Sequence, residues 1–179
     1  MEFRPITSVL AASGLATREE FGAWRKSWRV ATENGSQEPL LAFIAREKGV
    51  TEELFLQALA RALGWPFIDL PRLSIGPEAR QRISTKVAFQ HLVMPTRFEN
   101  GILQVAVSNP FDTAMLNAIV YGAGCPLEFG LAPQTEIEKA LKKYYGVGAE
   151  TLDELKEDEP LELLVGQEKE ITEGDQEAS

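Results

Sequence analysis

The chain has 179 residues, 44% of them apolar, with one cysteine, one histidine and a formal net charge of −9. That apolar share suffices for one or two domains with a buried core. It leaves little room for several other classes: a lone Cys125 supports neither a disulfide framework nor a thiolate metal cluster and reads as a buried structural thiol, and no run of ~18 uncharged apolar residues is present to span a bilayer.

The opening MEFRPITSVLAASG lacks the length and basic lead of a signal peptide, so the expected compartment is the cytoplasm, without membrane insertion. The acidity is local. Residues 150–179 carry twelve acids against Lys156 and Lys169, a net of −10, whereas the first 149 residues carry 15 acids against 16 bases, a net of +1. The first 149 residues therefore show no basic footprint for nucleic acid. Residues 147–179 have no aromatic side chain beyond that boundary and one short apolar patch at 161–165, too little to offset the entropy of ordering, and are expected to be a disordered acidic linker.

In chain order, the first signal is a repeat. Residues 5–25, PITSVLAASGLATREEFGAWR, align without a gap on 39–59, PLLAFIAREKGVTEELFLQAL, at an offset of 34; the matches include Pro5/Pro39, Ala11/Ala45, Thr17/Thr51 and Phe21/Phe55, with apolar pairs Val9/Phe43 and Leu10/Ile44. Each copy reads as a short helix, near 5–13 and 39–48, followed by a longer one. Thr17 with Glu20 forms a capping box for a helix over 17–33, and Phe21, Trp24 and Trp28 share the face expected to enter the core. Thr51 caps the second long helix, with Glu52 and Glu53 in its positive first turn, and Gly64 ends it. Both hairpins present apolar faces and are expected to pack around a shared core. The period of 34 is also that of tetratricopeptide repeats, but two copies fall short of the ~3 a solenoid needs, and the Trp, Leu-Gly and Tyr positions of that repeat are not matched.

Beyond Gly64, WPFIDLPRLSI reads as an extended apolar piece, and PEARQRI and TKVAFQHL as short helices. The stretch VMPTRFENGILQVAVSNP gives two strands around the hairpin signal Asn100-Gly101. A helix over FDTAMLNAIVYGAG follows, capped by Asp112 and ended by Gly122. PLEFGLA is a strand, and PQTEIEKALKKYYG the closing helix. The fold class is therefore α+β: a helical subdomain of two tandem hairpins (1–64), a small α/β sandwich (65–146) and an acidic tail (147–179).

A catalytic set is not found. His91 sits at a helix–strand junction in FQHLVMP and reads as structural. No nucleophile elbow, metal-ligand spacing or G-x-x-x-x-G-K-[ST] loop occurs, and Gly122-Ala-Gly124 follows a helix where the dinucleotide fingerprint must follow a strand. No catalytic residue, cofactor or metal is expected. What remains is charge: Arg18, Arg25 and Arg29, spaced by seven and four, line one side of the first long helix with Lys26 beside them, either a solvated face or a basic stripe for an acidic protein surface.

The order of these parts resembles the N-terminal domain of the type II secretion and type IV pilus assembly ATPases. The resemblance runs from about residue 5 to 146 and is carried by two helical hairpins, then GWPFIDL, LVMP, LQVAVSNPFD and the closing IEKALKKYYG. It implies a cytoplasmic, non-catalytic module that docks a hexameric motor onto the cytoplasmic part of an inner-membrane platform protein, joined by the acidic linker to the ATPase core of the same parent chain. That core would begin near QEAS. In some relatives the helical part is instead a receptor for cyclic di-GMP, each of two tandem copies opening with Arg-Leu-Gly. Here those positions are Pro5-Ile6-Thr7 and Pro39-Leu40-Leu41, without the guanidinium or the glycine. Arg4 stands one position off in the first copy, and its counterpart in the second is Glu38.

Overall fold

The structure, a computed structural model, describes residues 4–146. The expected linker 147–179 lies outside the described residues.

The helical half consists of α1 (Ile6–Ala12), α2 (Arg18–Glu33), α3 (Leu40–Glu47) and α4 (Glu52–Leu63). The capping box forms: Glu20 N–H donates to Thr17 Oγ1 at 3.1 Å and Thr17 N–H to Glu20 Oε2 at 2.7 Å. The Thr17 N–H, then the Thr17 hydroxyl, hold the Glu20 carboxyl below the usual range. Thr51 caps α4 by accepting from Leu54 N–H, and Gly64 ends it in the left-handed region at φ 70°.

The repeat is visible in three dimensions. The related pairs Val9/Phe43, Leu10/Ile44 and Phe21/Phe55 are all buried. Trp28 Nε1 donates to the Glu38 carbonyl at 2.8 Å, and Arg4 Nη2 donates to the Ala62 carbonyl at 3.3 Å. Exchanging the copies at the offset of 34 maps one residue pair on the other, Trp28 on Ala62 and Glu38 on Arg4, with donor and acceptor reversed. The end of each long helix is thus tied to the entry of the other copy's short helix. The gapless alignment nevertheless slips by one residue at the turns. Leu15 N–H bonds Leu10 O, and Val50 N–H bonds Ala45 O, an offset of 35. Ala11 is accordingly exposed and Ala45 buried, so that sequence match is not a structural one.

The sheet half holds a 3₁₀ turn (Leu70–Arg72), α5 (Pro77–Arg80), α6 (Thr85–His91), β1 (Met94–Glu99), β2 (Ile102–Val107), α7 (Thr113–Ala123), β3 (Leu127–Leu131) and α8 (Gln134–Tyr145). Asn100 and Gly101, at φ 51° and 78°, make the two-residue turn between the antiparallel β1 and β2. The ladder is irregular between Pro95 and Arg97. A crossover through α7 brings β3 in parallel to β2, with Val107 opposite Leu131. Asp112 caps α7 as expected, by accepting from Met115 N–H at 3.0 Å. The helix runs past Gly122, however, and it is Gly124 that takes the left-handed cap, because buried Ala123 still packs in the core.

Two sets of hydrogen bonds hold the segment that follows α4 against the rest of the sheet half. The extended 66–68 stretch lies along the far edge of β3: Leu131 N–H donates to Pro66 O at 2.9 Å and Ile68 N–H to Leu131 O at 2.8 Å. Helix α8 is clasped at its end, where the Tyr144 hydroxyl donates to Leu73 O and accepts from Ile75 N–H, and Arg80 donates to Tyr144 O at 3.0 Å. Buried side chains from α1, α2, α3 and α4 and from the sheet half form one continuous core. Cys125 is half-buried against that core and not enclosed by it, because it sits in the turn after α7.

Glu52, the first residue of α4, reaches the start of α8 and accepts from Gln134 N–H. Burial raises its pKa above the ordinary 4.5; the Gln134 bond opposes this and nearby Glu38 adds to it. A carboxyl whose folded pKa is raised favours the fold while protonated, and that contribution is lost as pH rises from the unfolded pKa through the folded one. Glu52→Gln should therefore be at least as stable as the parent at pH 7, with its advantage shrinking as pH falls towards 4.5. Urea unfolding at the two pH values checks this; a variant weaker at pH 7 would mean that the Gln134 bond outweighs burial.

Candidate docking surface on helix α2

The four cations of interest stand on α2, whose capping box fixes where the helix starts and hence where each side chain points. At ~100° per residue, Arg18, Arg25 and Arg29 fall within about 40° of arc and Lys26 about 60° further round. All four are exposed. The ion pairs among the described residues engage Arg46, Arg72, Arg97 and Lys139; none engages these four. Two acids of α2, Glu19 and Glu33, are also exposed near this side of the helix, which narrows the positive strip to its middle turns.

The tryptophans behave differently from the expectation. Phe21 is buried at 3% exposure, but Trp24 and Trp28 are half-buried. Trp24 packs against the core from its edge, whereas Trp28 is engaged through its indole N–H with the connection that leads into α3. Their mean direction lies about 90° from the arginines, so the stripe flanks the core-facing side and does not oppose it. Trp28→Ala should then cost about 1–2 kcal/mol, one hydrogen bond plus partial burial, against about 3–5 kcal/mol for fully buried Phe55→Ala. Denaturant titration of the two variants separates a clamp from a core residue.

Elsewhere on the surface, a shallow groove of ≈ 480 Å³ is bordered by Trp65, Pro66, Arg97, Gln104, Glu128 and Phe129 among others. Several of its polar groups are engaged: Gln104 Nε2 donates to Glu128 Oε2 at 3.0 Å, Arg97 approaches the same carboxylate at 4.0 Å, and Gln104 Oε1 accepts from the neighbouring Thr96 hydroxyl at 3.0 Å. Among the described residues no group of three His, Cys, Asp or Glu is placed to hold a metal ion. No helix among them is long and apolar enough to cross a membrane. His91 is the last residue of α6, followed by Leu92 at φ 49°. Pro5 and Pro39, which open the two sequence copies, are the residues immediately before α1 and α3. Arg4 is spent on Ala62 O, and Glu38 is forked onto Arg46 at 3.2 Å through each oxygen.

Residues 63–151 match the family model of the MshEN domain. Over these residues, just under half of its length, the chain is similar to the MshEN domain. Among sequence relatives, the "Type II secretion system protein E" of Xanthomonas campestris pv. campestris is 26% identical over 113 residues, 61% of this chain and 20% of that protein. The "Type IV pilus assembly ATPase PilB" of Myxococcus xanthus is 23% identical over 131 residues, 73% of this chain and 23% of that protein. The chain thus spans about a fifth of the length of these relatives. Among solved structures, MshE with cdg aligns at TM-score 0.62 and 19% identity over 79% of this chain and 99% of that one. The N-terminal domain of XpsE aligns at 0.57 and 22% over 82% of this chain and all of that one. Residues 65–146 make up less than half of the chain, so the shared fold includes the helices that precede the matched MshEN segment.

The resemblance carried by GWPFIDL and LQVAVSNPFD is borne out. Both segments are structural. The first places 66–68 on β3, and the second is most of β2 followed by a turn in which Asn109 Oδ1 accepts from Phe111 N–H and by Asp112, the cap of α7.

Proposed function

We propose that this chain is a non-catalytic docking and regulatory module of a type II secretion or type IV pilus assembly motor ATPase. In this reading 1–64 is the docking subdomain, 65–146 its α/β support, and 147–179 leads to the ATPase core, where the hexamer forms. The partner is the cytoplasmic part of an inner-membrane platform protein, which places the module on the cytoplasmic side of that membrane. Relatedness to protein E and PilB supports the motor. The single observation that carries the docking surface is the exposed stripe of Arg18, Arg25, Lys26 and Arg29, engaged in no ion pair among the described residues. Cations left unpaired on a rigid helix suit an acidic surface, whose attraction speeds encounter and fixes register. Reversal of Arg25 and Arg29, measured by association kinetics with the cognate platform domain, tests it.

The structure of MshE with cdg favours a second reading, a cyclic di-GMP sensor. Both copies here lack the arginine and the glycine, and Arg4 is committed to a backbone carbonyl. Calorimetry with cyclic di-GMP should show no binding in the micromolar range; a micromolar dissociation constant would put the sensor first.

A further inference from the structure

We propose that the α2 stripe has a ligand within its own chain: the acidic segment 153–162, DELKEDEPLE, docks on Arg18, Arg25, Lys26 and Arg29 and competes with the external acidic partner. The inference rests on the reading of that stripe as a docking surface and adds its regulation.

Three observations carry it. The acidity of the chain is confined to residues 150–179, of net −10, while the first 149 are near neutral at +1, so any attraction is local to an uncompensated patch such as the α2 stripe. Within 153–162, Asp153, Glu154, Glu157, Asp158, Glu159 and Glu162 stand against Lys156, a net of −5, facing four cations on one helix. The ion pairs among the described residues leave those four cations unengaged, while Arg46, Arg72, Arg97 and Lys139 are each held by a neighbour. Reach is sufficient: sixteen residues from Gly146 to Glu162 extend to about 50 Å at ~3.3 Å each, against about 40 Å for the diameter of a fold this size. Tethering makes the encounter intramolecular, so a weak charge contact is populated at the millimolar effective concentrations typical of short linkers. An external partner must then displace the segment, and its observed association is slowed by the occupied fraction.

The test uses the full 179-residue chain with Cys125→Ser and Leu155→Cys, the new thiol carrying a nitroxide. Amides of Arg18, Arg25, Lys26 and Arg29 should broaden more than those of the sheet half at about 20 mM salt and recover at about 0.5 M. Arg25→Glu/Arg29→Glu should abolish the selective broadening. Uniform broadening, broadening centred on Lys142 and Lys143, or selective broadening that survives the reversal overturns the proposal. So does a signal that appears when spin-labelled unenriched chain is mixed with unlabelled isotope-enriched chain, because the segment then binds a second copy. No partner is in the tube, so the two readings fail separately. If the reversal slows partner association but no selective broadening is seen, docking stands and the internal ligand falls. If broadening is selective and the partner ignores the reversal, the stripe serves the internal segment and the docking reading falls.

Discussion

Gly130→Val should destabilise the protein by about 3 kcal/mol or more, and Gly130→Ala by about 1–3 kcal/mol. A Cβ at Gly130 would lie 2.5 Å from Ile68 Cδ1, 2.7 Å from Ile68 Cγ1 and 3.0 Å from the Pro66 carbonyl oxygen. The strain is one of space and not of backbone angle, for the glycine sits within β3 without a positive φ. Ile68 is 5% exposed and has no open side to retreat to. Pro66 O is fixed by accepting from Leu131 N–H, so relief means pulling 66–68 off the sheet edge and losing that bond as well. Valine adds two γ carbons to the same space. The covalent link between α4 and the sheet half runs through this stretch, so the loss should fall on the joint between the halves. Urea unfolding of both variants checks it; an unchanged midpoint for Gly130→Ala would show that 66–68 shifts freely. Ile68→Ala in the Gly130→Ala background should cost less than the sum of the single changes, because the new methyl enters the vacated space.

That joint also marks where the sequence stops being readable. A glycine inside the short strand PLEFGLA signals close approach of another backbone, and WPFIDLP reads as extended, yet nothing local says that these two meet, since more than sixty residues separate them. Local chemistry was legible because its partners lie within a turn of each other: the Thr17–Glu20 box, the Thr51 and Asp112 caps and the Asn100-Gly101 hairpin all form as the residue types require. The end of α7 was not, because Gly122 and Gly124 are equally able to cap and burial of Ala123 decides between them. Trp28 was misread for a related reason. Helical spacing reports which side of a helix a residue occupies, and only the placement of Glu38 reveals that this side meets a connecting segment there and not the core. The stripe on α2 lies at the other limit: its alignment follows from spacing alone, while its freedom from ion pairs among the described residues depends on where the acids of the fold come to rest.

Reversing Arg25 and Arg29 to glutamate should slow association with an acidic platform surface by about 10–100-fold at low ionic strength, within the ~10–1,000-fold that steering of this kind adds to on-rates. The change converts two of four aligned cations into anions beside Glu33, so the middle of the helix repels what it had attracted. Dissociation should change less, because exposed charges at a rim act mainly on encounter. The parent's association rate should fall steeply between about 0.02 and 0.5 M salt, as screening shortens to a few ångströms, and the variant's should not. Stability should move by no more than about 0.5 kcal/mol, the usual range for exposed substitutions, because neither guanidinium is engaged in an ion pair among the described residues. Trp28→Ala supplies the contrast: it weakens the clamp to Glu38 without altering charge, so any loss of binding should track unfolding and leave the salt slope intact. Unchanged association kinetics in the folded double variant would make the stripe a solvated face, and the docking surface would have to be sought on α4, where Leu54 is 58% exposed, or on α7, where Tyr121 is 88% exposed.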